Sequence, residues 1–355
     1  MRIFIMRTIS SVRHYREKVS VAVVYAGFLL CAASCCCQVA YAGVKLPVDI
    51  RVEVSAGYDD NTVRTDKEKG SAFALYGLEM GKQFVLGKAW TLETLLEASY
   101  QDYERVEDNY LLQGSAALSR SLAQGRVLAS IITEANAYRD DLIDEDDRNE
   151  FMAGIQVNWV FSSRLSLNLR HTWRWLDYRN WARPFAVRGK GRTDGPPGPD
   201  NFGIYANPNF SIDSPDDDLV TPFRPRDDRM ANTGLSLDIF LPFSTTCTLH
   251  AGYTRLYSSL KIESYKQLQT GIGLVWKPAD KWSVAVDGGW HRTKYHKANG
   301  IFRQTNYTRF AGMQVSRFWG RLEFFGHVVW SESDSSLDFE NYNQTVTQCG
   351  FSWSF

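Results

Sequence analysis

Charged and imidazole side chains recur at alternate positions of otherwise apolar segments in this chain, and that spacing bounds the chemistry open to them. Asp49, Arg51, Glu53, Glu79, Glu93, Glu97 and Glu134 fall early, and Arg170, Arg174, Asp238, Asp287, His291, Glu323 and His327 fall later. Gathered on one face of extended segments, they would form a wall rich in carboxylates. Such a wall raises the local cation concentration and disfavours anions. In the opposing arrangement Arg170 and Arg174 reach across and tie the carboxylates down, leaving a plugged, neutralised interior. The sequence leaves both open.

Catalysis has little to stand on. The chain holds no Gly-x-Ser-x-Gly elbow and no His-Glu-x-x-His pair, the short motifs that would place a nucleophile or a metal-activated water. His14 lies near the start, and His171, His250, His291, His296 and His327 are scattered. A nucleophile, a base and an orienting group would have to converge from separate segments. No enzymatic activity, cofactor or metal is expected. Asp59-Asp60-Asn61, and Asp140-Asp141 with Asp144-Glu145-Asp146-Asp147, offer hard oxygen ligands without the spacing of a calcium loop. They are expected to be solvated surface charge, open to bridging by divalent cations to lipid phosphates.

The elements that must carry these residues are strands. Fourteen alternating segments run from Val48–Tyr58 to Gln344–Phe355, among them Phe151–Phe161, Leu165–Tyr178 and Ala231–Leu241. Each reaches the roughly 9–11 residues that cross a bilayer as a tilted strand. Connections after even segments are short, as at Leu86-Gly87-Lys88 and Trp319-Gly320; those after odd segments are longer and more polar, the longest spanning 179–230. That stretch contains Gly195-Pro196-Pro197-Gly198-Pro199-Asp200 and the acidic run Asp216-Asp217-Asp218, and is expected to narrow or cover an opening, or to be a surface loop.

Faces can be read within segments. Leu165, Leu167, Leu169, Trp173 and Trp175 share one face, while Ser166, Asn168, Arg170, Thr172 and Arg174 share the other. Aromatic residues gather at segment ends. Phe84, Trp90, Trp159, Phe161, Trp276, Trp282, Phe318, Trp319, Trp353 and Phe355 lie towards the short connections. Tyr58, Tyr100, Tyr103, Tyr110, Tyr138, Trp173, Trp175, Tyr253, Tyr257, Trp290, Tyr295, Tyr307 and Trp330 lie towards the long ones. Two aromatic bands match interfacial girdles, where an amphipathic ring sits between lipid and water. A soluble core would draw its rings to strand middles.

The amino terminus reads as a targeting segment. Arg2, Arg7, Arg13, Arg16 and Lys18 precede a mostly apolar Val19–Ala33, and Ala40-Tyr41-Ala42 fits a small-x-small cleavage site. Residues 1–42 are expected to be a cleaved signal peptide and 43–355 the mature domain. Cleavage removes five of the 40 basic residues and one of the 40 acidic ones, so the formal charge falls from zero to −4. That is no footprint for nucleic acid. Four of the six cysteines leave with the signal; Cys247 and Cys349 remain, too few for a disulfide framework.

The last residues, Cys349-Gly350-Phe351-Ser352-Trp353-Ser354-Phe355, resemble the closing strand of Gram-negative outer-membrane β-barrels. The resemblance implies that Phe351, Trp353 and Phe355 form the signal read by the barrel assembly machinery. The opening Ser55-Ala56-Gly57-Tyr58-Asp59-Asp60-Asn61 resembles the first strand and loop of β-barrel porin families. The whole also resembles the barrel half of surface lipoprotein assembly modifiers, but only Gly43 to Pro47 stand where those carry a helical-repeat domain.

The expectation is therefore an all-β, transmembrane, antiparallel up-and-down barrel of about fourteen strands in the cell outer membrane, with short periplasmic turns and long extracellular loops. Its partners would be outer-membrane lipid, lipopolysaccharide, the assembly machinery and small solutes, with no nucleic acid. The expected function is a porin-like channel for passive diffusion of small hydrophilic solutes, leaning towards cations, with 179–230 as constriction or lid. Two readings stand beside it: an export or assembly barrel for polysaccharide or surface lipoprotein, working with periplasmic partners, and a plugged structural or adhesive barrel.

Overall fold

An extended segment with one apolar and one polar face cannot satisfy its backbone alone, and in lipid every unpaired N–H or C=O costs several kcal/mol. The computed structural model resolves that demand by closing the strands on themselves. It describes residues 48–62, 70–106, 108–140, 147–181, 225–259, 263–296, 304–336 and 341–355. The expected signal peptide, most of the long connection and acidic residues 141–146 lie outside these. The barrel belongs to the unit Ile50–Ser354.

The strands are β1 (Asp49–Asp59), β2 (Ser71–Val85), β3 (Trp90–Tyr103), β4 (Asn109–Leu122), β5 (Val127–Asp140), β6 (Arg148–Ser162), β7 (Leu165–Trp181), β8 (Pro225–Leu241), β9 (Thr245–Ser258), β10 (Tyr265–Ala279), β11 (Trp282–Tyr295), β12 (Thr305–Trp319), β13 (Leu322–Ser335) and β14 (Tyr342–Ser354). They hydrogen-bond in sequence order and β14 returns to β1, making one closed barrel. The closing pair is antiparallel, in register from Arg51↔Ser354 to Asp59↔Val346. No helix among the described residues is long and apolar enough to cross a membrane; the crossing is made by strands.

Register assigns the faces. In β10, Leu268, Ile272, Leu274 and Trp276 are exposed, while Gln267, Gln269, Gly271 and Gly273 alternate with them on the inner face. The exposed set pairs laterally with Tyr253, Leu249 and Cys247 of β9. Ile155 and Ile131, opposed across β5 and β6, are 53% and 58% exposed. Apolar side chains this open at strand middles are stable only against lipid. Both cysteines among the described residues are free and fall on this outer face, with Cys247 in β9 and Cys349 in β14. Phe351 and Trp353 lie there too, 41% and 46% exposed.

The long connection is shorter than the expected 179–230. β7 runs to Trp181 and β8 begins at Pro225, with Trp175↔Arg229, Leu176↔Asp228 and Asp177↔Asp227 in register. Arg226, Asp227, Asp228 and Arg229 break the apolar alternation: Arg226 pairs with the buried Asp228 on the inner face, while Asp227 and Arg229 are exposed on the outer one. There the period of two leaves no trace in hydropathy. The tyrosines also need correction. Tyr103, Tyr138 and Tyr295 sit on the inner register, with Phe73, Asn136 and Thr293. They belong to no lipid girdle, and Phe318 of β12 likewise has inner parity.

Asp59-Asp60-Asn61 is not solvated surface charge. Asp59 and Asn61 are buried and clasp the seam between β1 and β14. Gln344 Nε2 donates to both Asp59 carboxylate oxygens, at 2.9 and 2.8 Å, and to the Asn61 carbonyl at 3.2 Å. Asn61 returns its own Nδ2 to the Asn343 carbonyl at 3.0 Å, and Thr345 N–H donates to Asp60 Oδ1 at 2.6 Å. Gly57 completes the motif: a Cβ there would collide with the Thr347 carbonyl and the Phe73 ring, so only glycine lets both come this close. Gln344→Ala strips the buried Asp59 of its side-chain donor. It is expected to lower stability by about 1–3 kcal/mol in urea unfolding from vesicles, with the exposed Asn343→Ala within about 0.5 kcal/mol of wild type.

Candidate functional site

The inner face of the barrel is where polar residues converge. Parity of the strand register places thirteen of the expected residues on it: Arg51 and Glu53 of β1, Glu79 of β2, Glu93 and Glu97 of β3, Glu134 of β5, Arg170 and Arg174 of β7, Asp238 of β8, Asp287 and His291 of β11, and Glu323 and His327 of β13. Asp49 opens β1 at an exposed position.

Their surroundings divide this wall into sectors. On β5 to β7, Arg174 lies 2.7 Å from Glu150 and 3.2 Å from Glu134. Glu150 also receives Arg148 at 2.6 Å, and Asn136 Nδ2 donates to Glu134 at 3.3 Å and Glu150 at 3.4 Å. Arg174 thus ties down Glu134 along its own stretch of wall, with Arg148 sharing Glu150, rather than reaching across the interior as one reading expected. Arg170 is exposed; its contact is with Met152 Sδ at 3.8 Å, and it forms no ion pair among the described residues. At the seam Arg51 lies 3.1 Å from Glu323 and 4.0 Å from Glu53, and Ser352 Oγ donates to Glu323 at 3.2 Å. Asp238 accepts hydroxyls from Ser166 at 3.2 Å and Thr248 at 2.7 Å.

On β2 and β3 the balance differs. Glu79 and Glu97 stand directly opposite each other, like charges in neighbouring positions, an arrangement that disfavours the sheet unless water or cations screen it. Glu93 accepts from Gln83 Nε2 at 3.0 Å. Glu79, Glu93, Glu97 and, across the barrel on β11, Asp287 form no ion pair among the described residues; Glu79, Glu93 and Asp287 are exposed to solvent from the inner face. Asp287 Oδ1 lies where a Cβ on Gly312 would come within 2.8 Å, so that glycine lets the carboxylate rest against the wall.

Two inner features escaped the sequence reading. His250 of β9 leans over Gly271, whose Cβ would collide with its ring; its even position in β9, beside inward Gly252 and Thr248, was a usable signal. The second is a row near the long loops, in which Tyr138, Arg148, Tyr178 and Arg226 alternate across β5 to β8. Arg148 stacks 4.7 Å from the Tyr138 ring and 5.9 Å from Tyr178, and Arg226 lies 4.6 Å from Tyr178. Each arginine pairs with the acid two residues on, Arg226 with Asp228 at 2.6 Å as Arg148 does with Glu150. Tyr178 also joins Leu176 and Leu256 in a small buried cluster. Stacked guanidinium groups brace the wall where the longest connection leaves it.

No protein-family model and no curated relative matches the chain. Among solved structures, outer-membrane expressed OmpT of Vibrio cholerae aligns over 87% of this chain and 97% of its own, at 7% identity and a TM-score of 0.47. The outer membrane channel DcaP of Acinetobacter baumannii aligns over 87% and 96%, at 9% identity and 0.46. A Pseudomonas aeruginosa FadL homologue aligns over 88% and 89%, at 11% identity and 0.40. At these values the likenesses carry nothing about substrate or mechanism.

Arg174→Ala leaves Glu134 and the nearly buried Glu150 without their shared cation. It is expected to cost about 1–3 kcal/mol of stability, whereas Arg309→Ala, whose side chain is 61% exposed beside Glu332, stays within about 1 kcal/mol. Urea midpoints of the two variants measure the difference.

Proposed function

We propose that the protein is a channel for passive diffusion of small hydrophilic solutes across the outer membrane, with a preference for cations. One observation carries this reading. Most inward cations are spent on carboxylates, Arg51 on Glu323 and Arg174 on Glu134 and Glu150, while Glu79, Glu93, Glu97 and Asp287 remain unpaired among the described residues. A wall with surplus negative charge in a confined aqueous path favours cation entry. Fourteen strands lie between the filled interior of eight-stranded barrels and the aqueous channel of sixteen, which fits a narrow pathway. The reading assigns no catalytic step to the interior. The connection expected as constriction or lid falls mostly at 182–224, outside the described residues, and takes no part in the argument.

The plugged structural barrel remains a second reading because of the Arg174 network, which packs guanidinium and carboxylate groups against one side of the interior. Planar-bilayer recording separates the two. The folded protein is expected to give steady single-channel conductance and, under a salt gradient, a reversal potential of the cation-selective sign. Glu79→Gln with Glu97→Gln is expected to move that potential towards zero without abolishing conductance. A folded barrel that stays silent would favour the plugged reading.

A further inference from the structure

Outside the barrel, charge is sorted by side. On the outer face near the long loops, Arg255 of β9 stands directly opposite Lys266 of β10, and Lys266 directly opposite Lys294 of β11. Arg292 lies two residues below Lys294 on the same face. Three cations in consecutive register positions repel one another, yet all four are exposed and none forms an ion pair among the described residues. The arginines are held by rings, Arg255 4.3 Å from Tyr257 and Arg292 5.4 Å from Tyr307. The sequence of the flanking connections adds Lys261, Lys297 and Arg303 against one acid, Glu263. The next strands around reverse the sign: Glu332 and Asp334 of β13 face outwards and hold Arg309 of β12 at 3.3 and 3.9 Å.

Height fixes what such a band meets. Lys294 lies four residues beyond the outward Trp290, which at about 3.3 Å per residue on a tilted strand is roughly 10 Å above the girdle. That is the level of lipid headgroups, directly above exposed Leu268 and Ile272. An occupant must therefore carry clustered anionic groups at that height and acyl chains below. We propose that Arg255, Lys266, Arg292 and Lys294 form a binding site for the phosphorylated glycolipid of the outer leaflet, its phosphates lying across the β9–β11 row and its chains on the apolar wall beneath. Charge-assisted contacts to phosphate would screen the repulsion that the protein alone leaves standing.

The test uses the detergent-folded full protein with three probes: diphosphoryl lipid A, the same lipid with both phosphates removed, and inorganic phosphate. Thermal unfolding followed by gel mobility and lipid retention in native mass spectrometry are the readouts. Diphosphoryl lipid A is expected to bind and raise the unfolding temperature, and the dephosphorylated lipid to bind about tenfold more weakly or less. The triple variant Arg255→Gln, Lys266→Gln, Lys294→Gln should lose this discrimination while unfolding, without lipid, at or above the wild-type temperature, because the repulsion is gone. Lys266→Gln alone, at the centre of the row, should weaken it. Equal binding of both lipids, retained discrimination in either variant, or equal stabilisation by inorganic phosphate would overturn the proposal.

Discussion

Everything in this barrel depends on one seam. A sheet in lipid has no water to satisfy its edges, so β1 and β14 must find each other, and they do so along a ladder from Arg51↔Ser354 to Asp59↔Val346. The pairing joins residues about 300 positions apart, a contact whose loop-closure entropy is offset only once the other strands have zipped in order. The Asp59, Asn61 and Gln344 clasp sits at the long-loop end of this seam, where buried side chains replace solvent as partners for backbone and amide groups. Gly57 lets Phe73 and the Thr347 carbonyl approach beside it. The short Gly-Tyr-Asp-Asp-Asn run at the end of β1 and just beyond it is thus what fastens closure.

Once closed, the wall has two solvents, and each residue is sorted by parity alone. Apolar residues such as Ile155 and Ile272 can be half exposed at no cost because lipid covers them. Polar residues inside must find water or one another, and both outcomes occur. Glu150 is buried and receives two guanidinium groups, whereas Glu79 is exposed and unpaired among the described residues. The interior is neither uniformly acidic nor uniformly neutralised; a braced sector on β5 to β8 is flanked in strand order by the unpaired carboxylates of β2 and β3 on one side and β11 on the other.

Much of this was legible because a period of two is a strong constraint. The alternation within Leu165–Tyr178 already placed Arg170 and Arg174 opposite Leu169 and Trp173, and the barrel keeps them there. What failed were readings based on position along a strand rather than parity. Tyr103, Tyr138 and Tyr295 lie at strand ends, as girdle residues do, but on the inner face. The start of β8 was hidden because Arg226 and Asp228 pair with each other on the inner face and Asp227 and Arg229 are charged on the outer one, so no apolar face marks the strand. Which carboxylate each arginine takes was beyond the sequence, since Arg174 and Glu134 meet only after β6 is placed between them.

Closure around a wet interior is tested most directly by thiol accessibility along one strand. In a chain with all six of its cysteines replaced, single cysteines at positions 267 to 270 and 272 to 274 of β10 would be probed in vesicles with a charged, membrane-impermeant thiol reagent. A two-faced wall with water inside requires labelling at Gln267, Gln269 and Gly273 and protection at Leu268, Thr270, Ile272 and Leu274. Uniform protection would mean that water does not reach the inner face, and labelling without a period of two would contradict a barrel wall with lipid on one side and water on the other.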